Sequence, residues 1–359
     1  MNILLKIFMI IISIIIIIAI IVFAFLNFNP AFGGKFSKEE IKKYESSPNF
    51  KDGKFVNMEP TAVMVEGASM WENAWEFIKG PENGKPELME TIKFDKEKFM
   101  LSSDVNAVYT WFGHSTVMMR VKDKTIIADP VFSSYASPVS FTNKSFKYSN
   151  NYDVDDLPYI DIVLISHDHY DHLDMNTIKK MDKNVGRYLV PLGVELHLIK
   201  WGIAENKIEV MDWWDEKSIE GITFASTPAR HFSGRKFSRN NSLWCSWVVK
   251  TDSVNLYFGA DSGYGKHFKM IGEKYGPFDF SMIECGQYNK NWKNIHAMPE
   301  QSVQANIDLK SKSMMAIHWG KFQLALHPWT EPIERARVAA EKTGVDLVEP
   351  EIGDVNVLN

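Results

Sequence analysis

Hydrophobic and polar positions divide this chain into three stretches. From Ile7 to Leu26, 20 consecutive residues carry no charge, and Ser13 is the one polar side chain among them. Residues 27–105 are polar and irregular and contain several turn signals. From about Ala107 onward, short runs rich in β-branched and aromatic residues recur, and some of them alternate with helical patterns. The pattern therefore predicts an apolar segment, a connecting segment and a folded domain.

The short runs and the periodic segments between them define the predicted elements of the domain. Strands are predicted at Ala107–Phe112, Thr116–Val121, Thr125–Ala128, Ile162–Ile165, Tyr188–Val190, Ile222–Ser226, Ser246–Val249, Val254–Phe258 and Met314–Ile317, and helices at Asp174–Met181, Leu192–Trp201, Pro299–Lys310 and Glu331–Thr343. Strands in hairpin-like succession that later alternate with helices favour layered sheets covered by helices. We predict one α/β domain over residues 106–359, built as a four-layer αβ/βα sandwich, after an anchor at 1–26 and a stalk and collar at 27–105.

The apolar segment is long enough to cross a membrane. Twenty residues at about 1.5 Å per residue span about 30 Å, the thickness of the hydrocarbon core. The alternative is a cleaved signal peptide, which has a shorter apolar run and a small-residue cleavage site. Here Asn27-Phe28-Asn29-Pro30 follows the run, which favours a retained single-pass anchor. The lysines on both sides of the segment leave open the side of the membrane on which the domain lies.

Composition narrows the function classes only slightly. The chain of 359 residues is 45% hydrophobic and 24% charged, which is typical of a packed globular protein. A net charge of -5 gives no reason to expect a nucleic-acid partner. Cys245 and Cys285 are too few for a disulfide framework, and they are consistent with either one bridge or two buried thiols. Nothing in the composition indicates an oligomeric state.

A cluster of metal-ligating residue types follows one predicted strand. Directly after Val163-Leu164-Ile165, the string Ser166-His167-Asp168-His169-Tyr170-Asp171-His172 places three histidines and two aspartates within six residues. Imidazole and carboxylate groups are ligands for zinc and similar ions. Alternate residues of an extended turn share a face, so His167 and His169 are predicted to point to the same side. The alternative is a solvated polar loop.

Three further candidate ligands occupy the same position relative to a strand. His231, Asp261 and His318 each follow directly or closely on a β-rich run that ends before them. Each alone is consistent with a loop residue, a capping acid or a buried structural histidine. Together with the first cluster, they supply enough ligands for two adjacent ions.

The order His-x-His-x-Asp-His, then His, Asp and His, resembles that of the metallo-β-lactamase superfamily. Within it, several strings are similar to the N-acylphosphatidylethanolamine-hydrolysing phospholipase D-like group: Trp111-Phe112-Gly113-His114-Ser115-Thr116, Asp129-Pro130-Val131-Phe132-Ser133, Ser166–Asp174, Asp212-Trp213-Trp214-Asp215 and Ile317-His318-Trp319-Gly320. The resemblance covers roughly residues 50–350.

The resemblance implies roles for individual residues. It assigns His167, His169 and His231 to one ion, Asp171, His172 and His318 to a second, and Asp261 as a bridge; it also implies two zinc ions, with other divalent transition metals as alternatives. It places Asp129 and His114 behind the ligands, and His296 near a substrate phosphate, where we predict that His296 and Asp171 take part in catalysis. His197, His267 and His327 match no motif and are predicted to be structural. Arg230 and Arg235 either meet a substrate phosphate or are solvated loop charges.

Three functions remain open at this stage. The first is a membrane-anchored, phospholipase D-type phosphodiesterase that acts on N-acylphosphatidylethanolamine-like lipids, with the bilayer as partner. The second is a lactonase or other small-metabolite hydrolase on the same metal site. The third is a non-catalytic membrane-tethered binding protein, against which the full set of seven ligands argues. The anchor favours the lipid because it would hold the site at the bilayer surface.

Overall fold

The computed structural model describes residues 3–101 and 106–358, in which sixteen strands and nine α-helices are found. The strands are β1 (Phe50–Lys51), β2 (Lys54–Phe55), β3 (Ala107–Trp111), β4 (Val117–Val121), β5 (Lys124–Ala128), β6 (Ile160–Leu164), β7 (Val185–Pro191), β8 (Ile208–Met211), β9 (Glu216–Ile219), β10 (Ile222–Thr227), β11 (Ser246–Lys250), β12 (Asn255–Phe258), β13 (Phe278–Glu284), β14 (Ser311–Ile317), β15 (Asp346–Val348) and β16 (Asn356–Leu358). The helices are α1 (Ile3–Phe28), α2 (Lys38–Lys43), α3 (Met70–Lys79), α4 (Lys96–Leu101), α5 (Met175–Met181), α6 (Glu195–Lys200), α7 (His267–Lys274), α8 (Pro299–Leu309) and α9 (Glu331–Thr343).

Two mixed sheets of seven strands carry the domain. The first has the order β16-β3-β4-β5-β6-β7-β8, and the second has the order β15-β14-β13-β12-β11-β10-β9. In each sheet, three antiparallel pairings lead into three parallel pairings. The repeated scheme brings the carboxyl ends of the parallel strands to one edge of the molecule. Loops at that edge are therefore held on rigid elements.

The core is divided into layers by the two sheets. One buried cluster joins the facing sides of the sheets, where the rings of Tyr109 and Phe280 lie 4.9 Å apart. A second cluster packs α4, α5 and α6 on the outer face of the first sheet. A third packs α7, α8 and α9 on the outer face of the second sheet. The predicted four-layer αβ/βα sandwich is confirmed.

The N-terminal helix α1 is exposed along its length and has a mean hydropathy of 3.6 over its most apolar window. Among the described residues, it is the one helix that is long and apolar enough to cross a membrane, a test that a signal sequence also passes. Its end touches the domain directly. The rings of Phe25 and Phe32 lie 5.3 Å apart, and the Asn29 side-chain amide donates to the Pro138 carbonyl at 3.3 Å.

Residues 29–101 wrap the domain and add structure that the sequence pattern did not predict. Tyr44 and Phe55 are buried in the core between the sheets, and Phe99 is buried with the helices of the first sheet. The segment also forms α3 and the short pair β1–β2. Contact with the domain starts at Asn29, so the predicted stalk is short. The predicted boundary at 105 falls within residues 102–105, which lie outside the described residues.

Most predicted elements of the domain are present, with small shifts at their ends. The helix predicted at Leu192–Trp201 is shorter, because α6 spans only Glu195–Lys200. The strand β13, whose run Phe-Asp-Phe-Ser-Met-Ile-Glu mixes polar and apolar residues, was not predicted although it lies near the centre of its sheet.

Both cysteines are free and buried, so the alternative of one disulfide bridge is excluded.

Candidate metal centre

All seven predicted ligands lie at one edge of the sandwich, in loops that follow strands of the two sheets. His167, His169, Asp171 and His172 follow β6, and His231 follows β10. Asp261 follows β12, and His318 follows β14 directly. The strands end at the same edge, so residues up to 151 positions apart in the chain meet there. The side chains form two groups that share Asp261 as a near neighbour.

The first group consists of three imidazoles whose ring nitrogens converge. His169 Nδ1 lies 2.9 Å from His167 Nε2 and 3.2 Å from His231 Nε2. His231 Nδ1 donates a hydrogen bond to the carbonyl of Ile295 at 2.9 Å. Nε2 is therefore unprotonated, and its lone pair faces the other two imidazoles. Three nitrogens this close to one another fit the coordination shell of a cation.

The second group consists of Asp171, His172 and His318, with His114 behind them. The His114 Nε2 atom lies 2.8 Å from Asp171 Oδ2, so His114 orients that carboxylate. His172 donates from Nδ1 to Asp129 Oδ2 at 2.7 Å, and Asp129 also accepts from the Ser166 backbone at 2.8 Å. Such a carboxylate fixes the ring orientation and the tautomer of a ligating histidine.

Asp261 lies between the two groups and turns one oxygen toward each. Its Oδ2 atom is 3.7 Å from His167 Nε2 and 3.6 Å from His231 Nε2. Its Oδ1 atom is 3.1 Å from both His172 Nε2 and His318 Nδ1. This division of the two oxygens is the arrangement that a carboxylate bridging two ions requires.

Two atoms of this centre show directly that the residues fit cations. Among the described residues, His172 Nε2 and Asp261 Oδ1 are buried side-chain atoms without a hydrogen-bond partner. Leaving a buried polar atom unpaired costs about 1–3 kcal/mol. Both atoms face the interior of the centre, where a bound ion would satisfy them. The chain therefore holds a binuclear His/Asp metal site.

Burial lowers the pKa of four of the candidate ligand histidines, which suits ligation. Burial lowers the pKa of His167, His231 and His318 well below the usual range, and it lowers that of His169 to about 4. A neutral imidazole keeps a lone pair available for a cation. Burial also acts on His172, but Asp261 and other carboxylates outweigh it and raise the pKa of His172. Burial raises the pKa of Asp261 to about 7.

Left-handed backbone conformations recur where the strands deliver their ligands. The φ angles of His114, Asp129, Ala260 and His318 are 53°, 41°, 49° and 67°. Non-glycine residues in this region are uncommon and cost free energy, and they cluster at functional sites. Gly286 is needed for a different reason: a Cβ atom there would lie 1.6 Å from the carbonyl oxygen of His318.

A buried glutamate beside His296 was missed by the sequence analysis. Glu284 ends β13, and its Oε2 atom lies 2.7 Å from His296 Nδ1. Oε1 accepts a hydrogen bond from the backbone of Ser262. Because Nδ1 is engaged by Glu284, the other ring nitrogen of His296, Nε2, is available to a substrate in the cavity that His296 lines. If β13 had been recognised as a strand, Glu284 would have been identified as a candidate site residue, because it lies at a strand end as the predicted ligands do.

Arg235 fits neither of its predicted alternatives, and Arg230 forms hydrogen bonds with neighbouring loops. The Arg230 guanidinium donates to Thr61 Oγ1 at 3.0 Å and to the Tyr264 carbonyl at 3.0 Å. Arg235 is buried and donates to the backbone carbonyls of Ala31, Asp168 and Leu173 at 2.7–2.8 Å. Both arginines therefore hold loops together; Arg235 is buried and Arg230 is half-buried.

Arg235 links the residues directly after α1 to the ligand loop, so we expect its replacement to lower the stability of the fold. Arg235→Met removes the donors of three backbone carbonyls, and each unsatisfied carbonyl costs about 1–3 kcal/mol. We therefore expect the free energy of unfolding to fall by about 3 kcal/mol or more in urea titrations of the detergent-solubilised chain. The matched control is Arg187→Met, which removes an exposed ion pair with Glu209 and should change stability by less than about 1 kcal/mol. Equal losses in the two variants would contradict this role.

The three histidines predicted to be structural are placed in different surroundings. His197 is buried, accepts from the Gly34 backbone at 3.0 Å and lies 3.2 Å from Asp168 Oδ2. His267 lies 2.9 Å from Ser262 Oγ, and the His327 ring stacks on Tyr288. None of them belongs to the two ligand groups.

Comparison with known proteins agrees with this centre. Residues 124–319 match the family described as the beta-lactamase superfamily domain, which is more than half of the chain. The chain belongs to the beta-lactamase superfamily. An uncharacterized protein of Mycobacterium tuberculosis is 37% identical over 85% of this chain and 83% of its own length. As a member of this superfamily with a His/Asp centre, the chain is a metal-dependent hydrolase.

Two further comparisons bear on the fold and the subgroup. The N-acyl-phosphatidylethanolamine-hydrolyzing phospholipase D 1 of Caenorhabditis elegans is 33% identical over 60% of this chain and 64% of its own length. Among solved structures, the metallo hydrolase Igni18 of Ignicoccus hospitalis superposes with a TM-score of 0.54, covering 70% of this chain and 98% of that one at 18% identity. The second likeness supports the fold alone.

Proposed function

We propose that this chain is a zinc-dependent phosphodiesterase of the phospholipase D type that acts on N-acylphosphatidylethanolamine-like lipids at a membrane. The observation that carries the proposal is the cavity above the metal centre. It has a volume of about 300 Å³, and its base is formed by the ligands His169, Asp171, Asp261 and His318. Its walls are mainly apolar, with Val63, Met64, Phe77, Phe232, Trp292, Ile295 and Leu324.

A cavity with apolar walls and a charged base matches the two parts of a phospholipid. Apolar walls favour acyl chains, since each buried CH₂ group contributes about 0.8 kcal/mol. A pair of divalent cations at the base supplies positive charge for a phosphodiester and lowers the pKa of a bound water toward 7. Histidine and carboxylate ligands suit zinc, and other divalent transition metals remain alternatives.

The residues of the chain that act on the substrate are Asp171 and His296. Asp171 is held by His114 and lines the base of the cavity, where it can accept a proton from the attacking water. His296 is held by Glu284 and can protonate the departing head-group oxygen. Burial raises the pKa of Glu284 and lowers that of His296, so burial opposes charge on both groups; an anionic phosphodiester nearby favours the imidazolium form of His296, which a Glu284 carboxylate then stabilises.

Two further observations support action at a membrane. The helix α1 is long and apolar enough to remain as an anchor, and its end is attached to the domain near the ligand loop. The similarity to proteins named for hydrolysis of N-acyl-phosphatidylethanolamine extends over about 60% of the chain. In this proposal, α1 is not cleaved, and intact mass of membrane-extracted protein would detect its loss.

The test is to incubate the zinc-loaded chain with vesicles of N-acylated phosphatidylethanolamine in water enriched in heavy oxygen. Water attacks phosphorus, the bond from phosphorus to the head-group oxygen breaks, and a proton goes to the leaving alkoxide. We therefore expect the label in phosphatidic acid. Label only in the released alcohol would place attack at carbon and refute the mechanism. Rapid opening of a lactone without lipid turnover would establish the alternative hydrolase.

A further inference from the structure

The helix α3 has apolar side chains on two opposite faces. One face points into the molecule, where Asn73 is buried and the Phe77 ring stacks on Trp292 at 5.8 Å. The other carries Trp71, Trp75 and Ile78, which are 87%, 67% and 77% exposed. Residues at i, i+4 and i+7 lie on one side of a helix, so these three side chains form a single stripe. We call this stripe the outer face of α3.

The outer face has the composition of a contact surface. A helix with apolar residues on both sides is normally covered on both sides, because exposed apolar surface contributes nothing to stability. At roughly 200 Å² per aromatic side chain, the exposed fractions of the two tryptophans amount to about 300 Å², to which Ile78 adds. A stable protein–protein interface buries about 800 Å² per partner, so the stripe alone is small for a dimer.

One loop links α3 to the attachment of α1: Phe232 lines the cavity together with Phe77 of α3, and Arg235, three residues further on, contacts the chain after α1. The Trp201 indole donates to the Pro30 carbonyl at 2.8 Å, and Arg235 Nε donates to the Ala31 carbonyl at 2.8 Å. These bonds fix the first residues after α1 on the domain, so a bilayer that contains α1 lies against the domain surface. Exposed aromatic side chains recur beside this attachment, at Phe141 and Phe237.

We propose that the outer face of α3 lies in the head-group region of the bilayer, as a second contact beside α1. Tryptophan is enriched at the membrane–water interface, and helices with one apolar face lie in its plane. The exposed Lys290 and Lys293 flank Trp292 under α3 and provide positive charge for phospholipid head groups.

The contact would place the mouth of the cavity at the lipid. Asn73 and Phe77 of α3 line the cavity above the metal centre, together with Phe232 and His169. A lipid leaving the bilayer under α3 would therefore enter the cavity without crossing water. The inference rests on the proposed action at a membrane, and it does not depend on which bond is hydrolysed.

The test measures the surroundings of one residue in the full chain reconstituted into phosphatidylcholine–phosphatidylglycerol vesicles. Ile78→Cys is labelled with an environment-sensitive fluorophore; Cys245 and Cys285 are buried and remain unlabelled. The matched control is Val338→Cys, an exposed apolar position on α9. We expect brominated lipids to quench the label at 78 severalfold more than the label at 338, and aqueous iodide to show the reverse preference.

Two results would overturn the proposal. Equal quenching of both labels by iodide would show that the outer face is in water. Protection of the label at 78 from both quenchers, with a dimeric mass in detergent, would show that a second copy covers it. The readout needs no turnover, so a chain that docks but hydrolyses no lipid would contradict the proposed function alone.

Discussion

Asp261→Ala is expected to lower kcat/KM by more than about 10³-fold and to remove metal from both halves of the centre. The reason is the division of its two oxygens: Oδ2 faces His167 and His231, and Oδ1 faces His172 and His318. Removing the carboxylate takes one ligand from each ion and leaves the stabilisation of transition-state charge, worth several kcal/mol, incomplete. Kinetics and elemental analysis of the same preparation measure both effects.

The control for this variant is Asp252→Ala. Asp252 is exposed and lies 3.6 Å from Lys122, so its removal should leave turnover and metal content unchanged. His197→Ala is a poorer control, although His197 is not a ligand. Its ring contacts Asp168, which lies between two ligands, and the Gly34 backbone. We therefore expect His197→Ala to loosen the ligand loop.

A second measurement separates loss of the bridge from loss of folding. Metal binding contributes to folding, so Asp261→Ala should also be less stable than the wild-type chain in the presence of zinc. In excess chelator this difference should shrink, because neither chain then gains binding energy. A wild-type chain that holds only one ion after metal supplementation would contradict the bridging role.

The convergence of the seven candidate ligands could be predicted from the sequence because its signal is local. Each of β6, β10, β12 and β14 is an apolar run that stops where a ligand or a short lead to it begins. Parallel strands end at a common edge, so residues after different strands meet there. The spacing of the residues around His167 identifies the position of the metal centre. The residues that follow the other strands identify the remaining candidate ligands.

The supporting residues could not be predicted because their signal is not local. Arg235 acquires its role from the Ala31 carbonyl, 204 positions away in the chain. Glu284 becomes informative only when β13 is recognised and His296 is seen 2.7 Å away. The outer face of α3 lies in a stretch whose irregular pattern suggested only a collar.

His296→Ala is expected to lower kcat for a lipid by about 10²–10⁴-fold, the usual contribution of a general acid, with unchanged metal content. The ring is oriented by Glu284 and lines the cavity beside Asp261 and His318. A head-group alkoxide is a poor leaving group and needs a proton as it departs. A nitrophenolate needs none, so hydrolysis of bis(p-nitrophenyl) phosphate should fall only severalfold.

Glu284→Gln tests the same assignment through the partner of His296. The amide keeps the size of the side chain but cannot become the carboxylate that stabilises an imidazolium, so we expect about a tenfold loss with lipid, smaller than the 10²–10⁴-fold contribution of the general acid itself. The loss with the nitrophenyl diester should again be small. A structural role for Glu284 would instead lower both rates equally and reduce metal content. Equal losses with both leaving groups in His296→Ala would show that His296 binds the phosphate and donates no proton.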